Sequence, residues 1–325
     1  MTPSSPFLTR RHFIALSGGV ALWPTASLSG GLKELQGSAF GTSWSLTCSD
    51  GYSLDELRSQ IEALFDEVDR QMSPWRPDST ISRFNASVAG SYLVEDAIFE
   101  VSRAAIHLSS ESGGCFDPSV GPLVAKWGFG PVVGDPAPDW AGLNAEGGHL
   151  SKASDGLTLD LCGIAKGWAL DRACELARAA GVEQAIFDLG GEVAAIGAHP
   201  SGREWQVAIE DTRKADGIAA VLRLPSGHSI ATSGKSAQSY SLAGKTYGHI
   251  IDPRDRQPAD GELWSVSVIA RTAMDADGWA TALFAAGAEE GPALAAAKGI
   301  DAVFLGGTDV NQMLSVSGKT EEYLL

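Results

Sequence analysis

The chain has 325 residues, of which 44% are hydrophobic and 20% are charged, and its 24 basic and 40 acidic residues give a formal net charge of −16. A chain of this size can bury a core that needs neither disulfides nor metals, and its composition excludes wholesale disorder, a coiled coil and a multispanning membrane protein. Because so acidic a chain repels polyanions, we expect no nucleic-acid partner. If the protein handles a phosphate compound, local amides, a lysine or a bound cation must overcome this background charge.

The N-terminal segment has the features of an export signal. Thr9-Arg10-Arg11-His12-Phe13-Ile14 precedes a short apolar stretch, and small residues follow at 26–30. The apolar stretch is too short to span a bilayer of about 30 Å, and the paired arginines before it resemble a twin-arginine signal. The alternative is an ordinary amphipathic N-terminal helix. We expect residues 1–29 to be a signal peptide, residues 30–325 to form the mature domain, and the protein to reach the periplasm through the twin-arginine machinery.

Apolar spacing along the mature chain predicts interleaved helices and strands. Residues with apolar side chains three and four positions apart predict helices, which are placed at Leu54–Met72, Asp96–Ser112, Ile164–Ala180, Ala276–Ala286 and Gly291–Lys298. The predicted strands are Phe40–Cys48, Leu157–Leu161, 184–189, 193–197, 205–210, 219–224, around Ile230, Thr246–Ile251, Trp264–Ala270 and Ala302–Leu305. The Gly- and Pro-rich stretch 128–150 predicts a surface loop. Because there is no strict βαβ alternation, we predict an α+β fold with a mixed or antiparallel sheet.

The cysteines are not arranged as a metal or redox site. Cys48, Cys115, Cys162 and Cys174 form no C-x-x-C pair and have no histidine at metal-ligand spacing. Two disulfides are possible in an oxidising compartment, but Cys162 lies in a predicted turn and Cys174 in the middle of a predicted helix. We therefore expect free, mostly buried thiols.

Two glycine-containing turns are candidate ligand sites. Gly113-Gly114-Cys115-Phe116-Asp117-Pro118 follows a predicted helix, where glycines allow close backbone approach to a ligand. Leu159-Asp160-Leu161-Cys162-Gly163-Ile164-Ala165-Lys166-Gly167 leads from a predicted strand into a helix, whose free N–H groups and Lys166 could bind phosphate. The second turn does not match the triphosphate-binding loop pattern. The structural alternatives are a helix C-cap with an Asx turn and a plain strand-to-helix turn.

Two further motifs contain side chains suited to acid–base and metal chemistry. In Tyr247-Gly248-His249-Ile250-Ile251-Asp252-Pro253, His249 could be a general base at the end of a strand, although a lone histidine is often structural. In Asp275-Ala276-Asp277-Gly278-Trp279-Ala280-Thr281, Asp277 and Thr281 are four residues apart and share one helix face. Their oxygens suit a hard cation such as Mg²⁺. The alternative here is helix N-capping by Asp275 or Asp277.

Seven motifs occur in an order that closely resembles the ApbE family of FAD:protein FMN transferases. They are Phe40-Gly41-Thr42, Ser73-Pro74-Trp75-Arg76-Pro77-Asp78-Ser79, Gly114-Cys115-Phe116-Asp117-Pro118, Asp160-Leu161-Cys162-Gly163-Ile164-Ala165-Lys166-Gly167, Thr232-Ser233-Gly234, His249-Ile250-Ile251-Asp252-Pro253, and Ala276-Asp277 with Thr281. The resemblance extends over about residues 38–310. With its export signal, the chain looks most like the NosX-type members associated with nitrous-oxide respiration.

The resemblance implies an ApbE-like, T-fold-related architecture and a specific reaction. Family members move FMN from FAD to a Ser or Thr of a target protein, form a phosphoester, release AMP and use a divalent metal such as Mg²⁺. The acceptor carries a Ser/Thr-Gly-Ala-Ser/Thr-type motif, for example in a membrane-bound respiratory flavoprotein.

Carried over by motif, the resemblance also implies roles for individual residues. The FAD site would be lined by Phe40, Trp75, Cys115, Phe116, Asp117, Asp160, Lys166 and Ile251. The metal would be held by the Gly163 carbonyl, Asp277 and Thr281, and His249 is the candidate base, with Asp160 and Asp252 next in line.

The sequence departs from the family pattern at three positions. Phe40 stands where many members have Met, and Cys115 and Cys162 stand where Ala and Gly are usual. The bulkier Cys162 beside the carbonyl of Gly163 bears on the fine geometry of the metal site.

Two other activities remain open from the sequence. A Mg²⁺-dependent FAD pyrophosphatase would use water in place of the acceptor hydroxyl and give free FMN and AMP. A periplasmic flavin-binding protein would turn nothing over, but binding a flavin does not require the metal-ligand spacing of Asp277 and Thr281. The chain is not itself expected to be flavinylated, because Thr232-Ser233-Gly234-Lys235-Ser236 lacks the Ala of the acceptor motif.

Overall fold

The computed structural model describes residues 31–49, 51–52, 54–211, 217–235, 238–242, 245–259, 261–307 and 312–325. The predicted signal peptide, residues 1–29, lies wholly outside these residues. None of the helices in the described ranges is both long and apolar enough to cross a membrane.

An eight-stranded sheet, antiparallel throughout its described pairings, forms the centre of the fold. Its spatial order is β1-β2-β6-β7-β10-β15-β16-β17. These strands are β1 (Leu32–Ala39), β2 (Thr42–Ser49), β6 (Ala185–Leu189), β7 (Glu192–Ile196), β10 (Ser229–Gly234), β15 (Leu263–Ala270), β16 (Asp301–Gly307) and β17 (Gln312–Ser317).

Shorter strands form separate ribbons around this sheet. Three strands pair in the order β3-β5-β4, and β8 pairs with β9, β11 with β12, and β13 with β14. Their bounds are β3 (Gly90–Leu93), β4 (Leu143–Glu146), β5 (His149–Lys152), β8 (Trp205–Glu210), β9 (Ile218–Leu224), β11 (Ser239–Leu242), β12 (Lys245–Gly248), β13 (Ile251–Asp252) and β14 (Gln257–Pro258).

Within the described ranges, six α-helical segments pack against the sheets. They are α1 (Asp55–Met72), α2 (Thr80–Ala86), α3 (Asp96–Glu111), α4 (Gly121–Lys126), α5 (Ala165–Ala179) and α6 (Ala273–Lys298), with short 3₁₀ turns at Trp140–Gly142 and Thr320–Glu322. The last helix is broken into two at Gly287, whose φ of 84° is not helical. This break agrees with the two separate helices that the sequence predicts.

The central sheet is buried on both faces because its strands are apolar on both sides. In β6, Phe187 and Leu189 belong to the core formed with α1 and α5, whereas Ile186 belongs to the core beneath the β8–β9 ribbon. Successive side chains of a strand point to opposite faces, so one strand supplies both layers. A third group of apolar residues, including Leu283 and Phe304, joins α6 to β15 and β16.

The structure confirms the α+β class and corrects three predicted segments. The predicted strand Phe40–Cys48 is instead the turn and second strand of a hairpin, in which Phe40 and Gly41 both have positive φ, 52° and 76°. Two successive residues with positive φ are typical of a type I′ hairpin turn. The predicted loop 128–150 contains β4 and the start of β5. The predicted strand Leu157–Leu161 is not a strand, for a reason given below.

Candidate active site

The segment 157–161 is held by two polar side chains instead of by a neighbouring strand. Asn85 accepts a hydrogen bond from the Leu159 N–H at 2.7 Å and donates one to the Leu159 carbonyl at 2.8 Å. The buried Lys152 ammonium donates to three carbonyls, those of Asn85, Asp155 and Leu157, at 2.9, 3.1 and 3.0 Å. These bonds satisfy buried backbone groups that a strand would pair with its neighbour. The segment held in this way continues into a turn at Asp160. The Oδ1 of Asp160 accepts a hydrogen bond from the Cys162 N–H at 2.9 Å.

This turn brings the Gly163 carbonyl against α6. The Thr281 hydroxyl lies 3.4 Å from the Gly163 oxygen and 3.2 Å from the Ser233 hydroxyl. One turn earlier on α6, Asp277 is 5% exposed and its Oδ2 accepts from the Gly167 N–H at 3.0 Å. The three groups that the sequence places in a metal site are therefore close together. We call the Gly163 carbonyl, the Asp277 carboxylate and the Thr281 hydroxyl the oxygen triad.

Lys166, at the start of α5, forms an ion pair that the sequence analysis missed. Its Nζ lies 2.8 Å from both carboxylate oxygens of Glu192, the first residue of β7. Glu192 is 3% exposed. The available signal was an acidic residue at the head of the otherwise apolar strand Glu192-Val193-Ala194-Ala195-Ile196, because a buried carboxylate requires a partner.

The site contains more buried negative charge than the lysine balances. Burial, together with repulsion by Glu192, raises the pKa of Asp277 to about 7, and Lys166 only partly opposes this rise. Burial also raises the pKa of Glu192 and raises that of the neighbouring Asp188 to about 6. Burial alone would lower the pKa of Lys166, but attraction by Glu192 and Asp277 outweighs it and raises that pKa.

The oxygen triad fits a hard divalent cation. In the described ranges no three His, Cys, Asp or Glu side chains cluster as a metal site, so any cation must also use hydroxyl and carbonyl oxygens. Mg²⁺ is bound in this way, by one or two carboxylates with phosphate and other oxygens completing the shell. Oδ1 of Asp277 accepts no hydrogen bond from the described residues. A cation there would stabilise the ionised carboxylate that burial disfavours.

His249 follows β12 and is held by the backbone of the residue before β11. The backbone nitrogen of His249 and the Nδ1 of its ring both lie 3.2 Å from the Gln238 carbonyl oxygen. A carbonyl only accepts, so Nδ1 carries the proton and the lone pair of a neutral ring lies on Nε2. Burial lowers the pKa of His249 and the nearby Lys166 lowers it further, against the opposing bond to Gln238. The neutral form, which can act as a base, is therefore favoured.

A row of stacked aromatic rings ends beside this histidine. Trp127 stacks on Tyr247, Tyr247 on Tyr240, and Tyr240 on Phe129, with centroids 5.6, 5.6 and 5.3 Å apart. The edge of Phe129 meets His249 at 6.3 Å. The rings therefore join the β11–β12 ribbon to the residues that follow α4.

The structure places some of the remaining predicted flavin-site residues beside the triad. An added Cβ on Gly163 would lie 3.2 Å from the Phe116 ring, so Phe116 borders the triad. Asp117 is buried and its Oδ1 accepts from the Ser119 N–H at 2.7 Å and the Ser119 hydroxyl at 2.6 Å. The Pro118 carbonyl accepts from the Asp160 N–H at 2.6 Å, which ties the two glycine-containing turns together.

The other predicted flavin-site residues lie in different surroundings. Cys115 and Ile251 are buried, at 1% and 4% exposure. Phe40 packs edge-on against Phe65, and Trp75 is 63% exposed on the loop between α1 and α2.

The structure also shows the surroundings of the four cysteines and of Asp252, one of the alternative bases. None of the four cysteines, all of which lie in the described ranges, forms a disulfide, and only Cys162 is exposed, in agreement with the sequence prediction. Asp252 is not available as a base, because Arg254 donates to both of its oxygens at 2.9 and 2.8 Å.

Comparison with known proteins gives one consistent result. The sequence matches the ApbE family over residues 40–304. It is 32% identical over 308 residues to the FAD:protein FMN transferase of Klebsiella pneumoniae, covering 88% of each chain. It is 34% identical over 293 residues to that of Vibrio cholerae, covering 85% of this chain and 88% of the relative.

Solved structures give the same result. The flavin transferase ApbE from Vibrio cholerae superposes with a TM-score of 0.82 at 30% identity, covering 91% of this chain and 100% of that one. The apo form of the Pseudomonas stutzeri flavinyl transferase ApbE superposes with a TM-score of 0.80 at 30% identity, covering 90% and 96%.

Proposed function

The chain belongs to the ApbE family and is an FAD:protein FMN transferase, and we propose that it moves FMN to a Ser or Thr hydroxyl with a divalent cation held by the oxygen triad. The acceptor oxygen attacks the phosphorus on the FMN side of the FAD pyrophosphate. A new P–O bond forms, the bond from that phosphorus to the bridging oxygen breaks, and AMP leaves with the bridging oxygen.

His249 has the properties required of the base in this step. A Ser or Thr hydroxyl is a weak nucleophile at neutral pH and needs a proton acceptor within hydrogen-bond reach. With Nδ1 bonded to the Gln238 carbonyl, Nε2 of His249 is the free acceptor. The proton of the hydroxyl would move to this atom as the P–O bond forms.

Lys166 and the triad supply positive charge where the reaction builds negative charge. Lys166 begins α5, so its ammonium and the free N–H groups of the helix can act on the same phosphate. A Mg²⁺ ion bound at the triad would stabilise the charge on the pyrophosphate oxygens and on the leaving AMP.

The observation that carries this proposal is the buried Asp277, with its raised pKa, beside the Gly163 carbonyl and the Thr281 hydroxyl. In a chain of net charge −16, a pyrophosphate can be held only where local positive charge offsets the field. A cation at the triad would offset the negative charge of the Asp277 carboxylate and would attract the pyrophosphate of the substrate.

The test is FMN transfer by the Asp277→Ala variant. Protein, FAD, Mg²⁺ and an acceptor containing a Ser/Thr-Gly-Ala-Ser/Thr motif are incubated, and flavin fluorescence in the gel and the mass gain of the acceptor are measured. We expect labelling by the wild-type chain and its loss in Asp277→Ala. The matched control is Asp275→Ala, since Asp275 lies on the same helix but is exposed and bonded to Thr272.

The same experiment separates the alternative activities. Free FMN and AMP without labelled protein would indicate an FAD pyrophosphatase, and bound FAD without products would indicate a flavin-binding protein. Wild-type labelling by Asp277→Ala in the presence of EDTA would contradict the metal site.

We further propose that the enzyme acts in the periplasm, after twin-arginine export, on a respiratory flavoprotein. The paired Arg10 and Arg11 before an apolar stretch support the export route.

A further inference from the structure

Glu192 is a deeply buried acid in an ion pair. Its side chain is 4% exposed, whereas that of Asp252, which pairs with Arg254, is 15% exposed. Both of its oxygens lie 2.8 Å from Lys166 Nζ. A buried carboxylate is costly unless it is paired, so a position of this kind on a central strand requires a reason.

The surroundings of Lys166 suggest the reason. Lys166 interacts electrostatically with two carboxylates, Glu192 and Asp277, but its hydrogen bonds go to Glu192. Asp277 instead accepts from the N–H of Gly167, the residue next to the lysine. The lysine side chain is long and flexible, and Asp277 is the other carboxylate that attracts it.

We propose that Glu192 is a positioning residue that holds Lys166 away from Asp277 and so keeps the Asp277 carboxylate free to bind the divalent cation. Without the charge of Glu192, the ammonium would pair with Asp277 and compete with the cation for the same oxygens. The cation would also be repelled by the Lys166 ammonium, whose charge Glu192 would no longer offset. This inference rests on the metal site proposed above and assigns the site a residue that binds neither metal nor substrate directly.

The test is Mn²⁺ affinity, measured by EPR and calorimetry on the full chain without FAD. We expect Glu192→Gln, which removes the charge but keeps the shape, to weaken Mn²⁺ binding about tenfold or more, and Glu192→Asp to weaken it less. The matched control is Glu210→Gln on β8, a partly buried glutamate whose pKa is also raised by burial, which should bind Mn²⁺ like the wild type.

The double variant Glu192→Gln/Lys166→Met gives the decisive comparison. If Glu192 acts by restraining the lysine, removing the ammonium restores Mn²⁺ affinity to the level of Lys166→Met alone. A purely structural role of Glu192 would give no such recovery. The double variant also leaves neither the Lys166 ammonium nor the Glu192 carboxylate buried without its partner, so it remains measurable if Glu192→Gln fails to fold.

The outcomes distinguish this inference from the proposed metal site. Loss of Mn²⁺ binding in Asp277→Ala together with unchanged binding in Glu192→Gln would overturn only the role of Glu192, as would a double variant that stays as weak as Glu192→Gln. Unchanged binding in Asp277→Ala, or no Mn²⁺ binding by the wild-type chain, would overturn both.

Discussion

At the scale of single residues, His249 is the clearest subject for a kinetic test. A general base acts mainly in the transition state, so His249→Ala should lower the single-turnover transfer rate by about 10²–10⁴-fold and leave FAD affinity nearly unchanged. Single-turnover labelling and FAD titration measure the two quantities separately. A variant that binds FAD poorly but transfers the bound fraction at normal speed would show that His249 is a ligand contact.

The pH dependence of the wild-type rate follows from the same residue. The base must be neutral, and burial and Lys166 lower the pKa of His249 below its ordinary value of about 6.5. At a saturating cation concentration, which keeps Asp277 ionised, the rate should therefore hold as the pH falls through 6.5 and decline only at more acidic pH, as the imidazole takes up a proton. A decline that begins above pH 7 would contradict this environment for His249.

The residues of the site could be predicted from the sequence only where a motif contains them. Asp277 and Thr281 share a helix face by spacing alone, so their proximity was predictable. Glu192 and Ser233 join the site through pairing of distant segments, Glu192 with Lys166 and Ser233 with Thr281. Glu192 stands out at the head of an apolar strand and Ser233 lies in the Thr232-Ser233-Gly234 motif, but neither local pattern identifies the partner, which is 26 or 48 residues away.

At the scale of secondary-structure elements, residues 157–161 are held by the side chains of Asn85 and Lys152, which we call the clamp. The clamp determines where the Gly163 carbonyl lies. Asn85→Ala removes two hydrogen bonds to Leu159 and leaves its backbone groups unpaired, which should cost about 1–3 kcal/mol of unfolding free energy. Because the segment leads directly into Asp160 and Gly163, FMN transfer should fall as well. Thermal melting and labelling measure both effects.

The control for this variant is Asn144→Ala, whose side chain is exposed on β4. Equal melting temperatures for Asn85→Ala and Asn144→Ala would show that the clamp contributes nothing to stability.

The contact between α5 and α6 depends on a glycine. A Cβ at Gly167 would lie 2.2 Å from the Ala273 carbonyl oxygen and 2.8 Å from Asp277 Cβ, so Gly167→Ala must push the helices apart. We expect a loss of about 1–3 kcal/mol, typical of overpacking, and weaker Mn²⁺ binding because Asp277 moves relative to Gly163.

Chemical denaturation and Mn²⁺ titration test this expectation. In the control Gly130→Ala, the added methyl group would lie 3.2 Å from the Val124 side chain and 3.7 Å from the Ala125 nitrogen, so it clashes with no backbone atom. Mn²⁺ affinity in Gly167→Ala equal to that of Gly130→Ala would contradict the proposed dependence of the site on close helix packing.

The helices could be predicted from the sequence better than the strands. The apolar spacing of α1, α3 and α5 is local, and the observed bounds differ from the predicted ones by one residue at most. Leu157, Leu159 and Leu161 alternate with other residues as in a half-buried strand, and all three are buried. They are nevertheless not a strand, because the backbone partner of Leu159 is a side chain from α2, which periodicity does not detect.

At the scale of the whole molecule, the central sheet is built from both ends of the chain. Its two edges are β1, which begins at Leu32, and β17, which ends at Ser317. Within the sheet, β2 pairs with β6 across more than a hundred residues. Pairings over such separations form slowly, because a long loop must close before they contribute. The sheet and the active site beneath it are therefore complete only after the whole chain has been synthesised.

This topology, together with the paired arginines, leads to the prediction for export. A chain whose sheet closes late, and whose site uses FAD and is proposed to bind a cation, is suited to a route that moves folded proteins. Replacing both Arg10 and Arg11 by Lys should leave the precursor in the cytoplasm, folded and able to transfer FMN when extracted, because these residues precede the first strand. Cell fractionation followed by in-gel flavin fluorescence measures location and activity together. The control, Arg103→Lys on the exposed face of α3, should be exported normally. Periplasmic accumulation of the double-lysine variant at the control level would contradict the twin-arginine route.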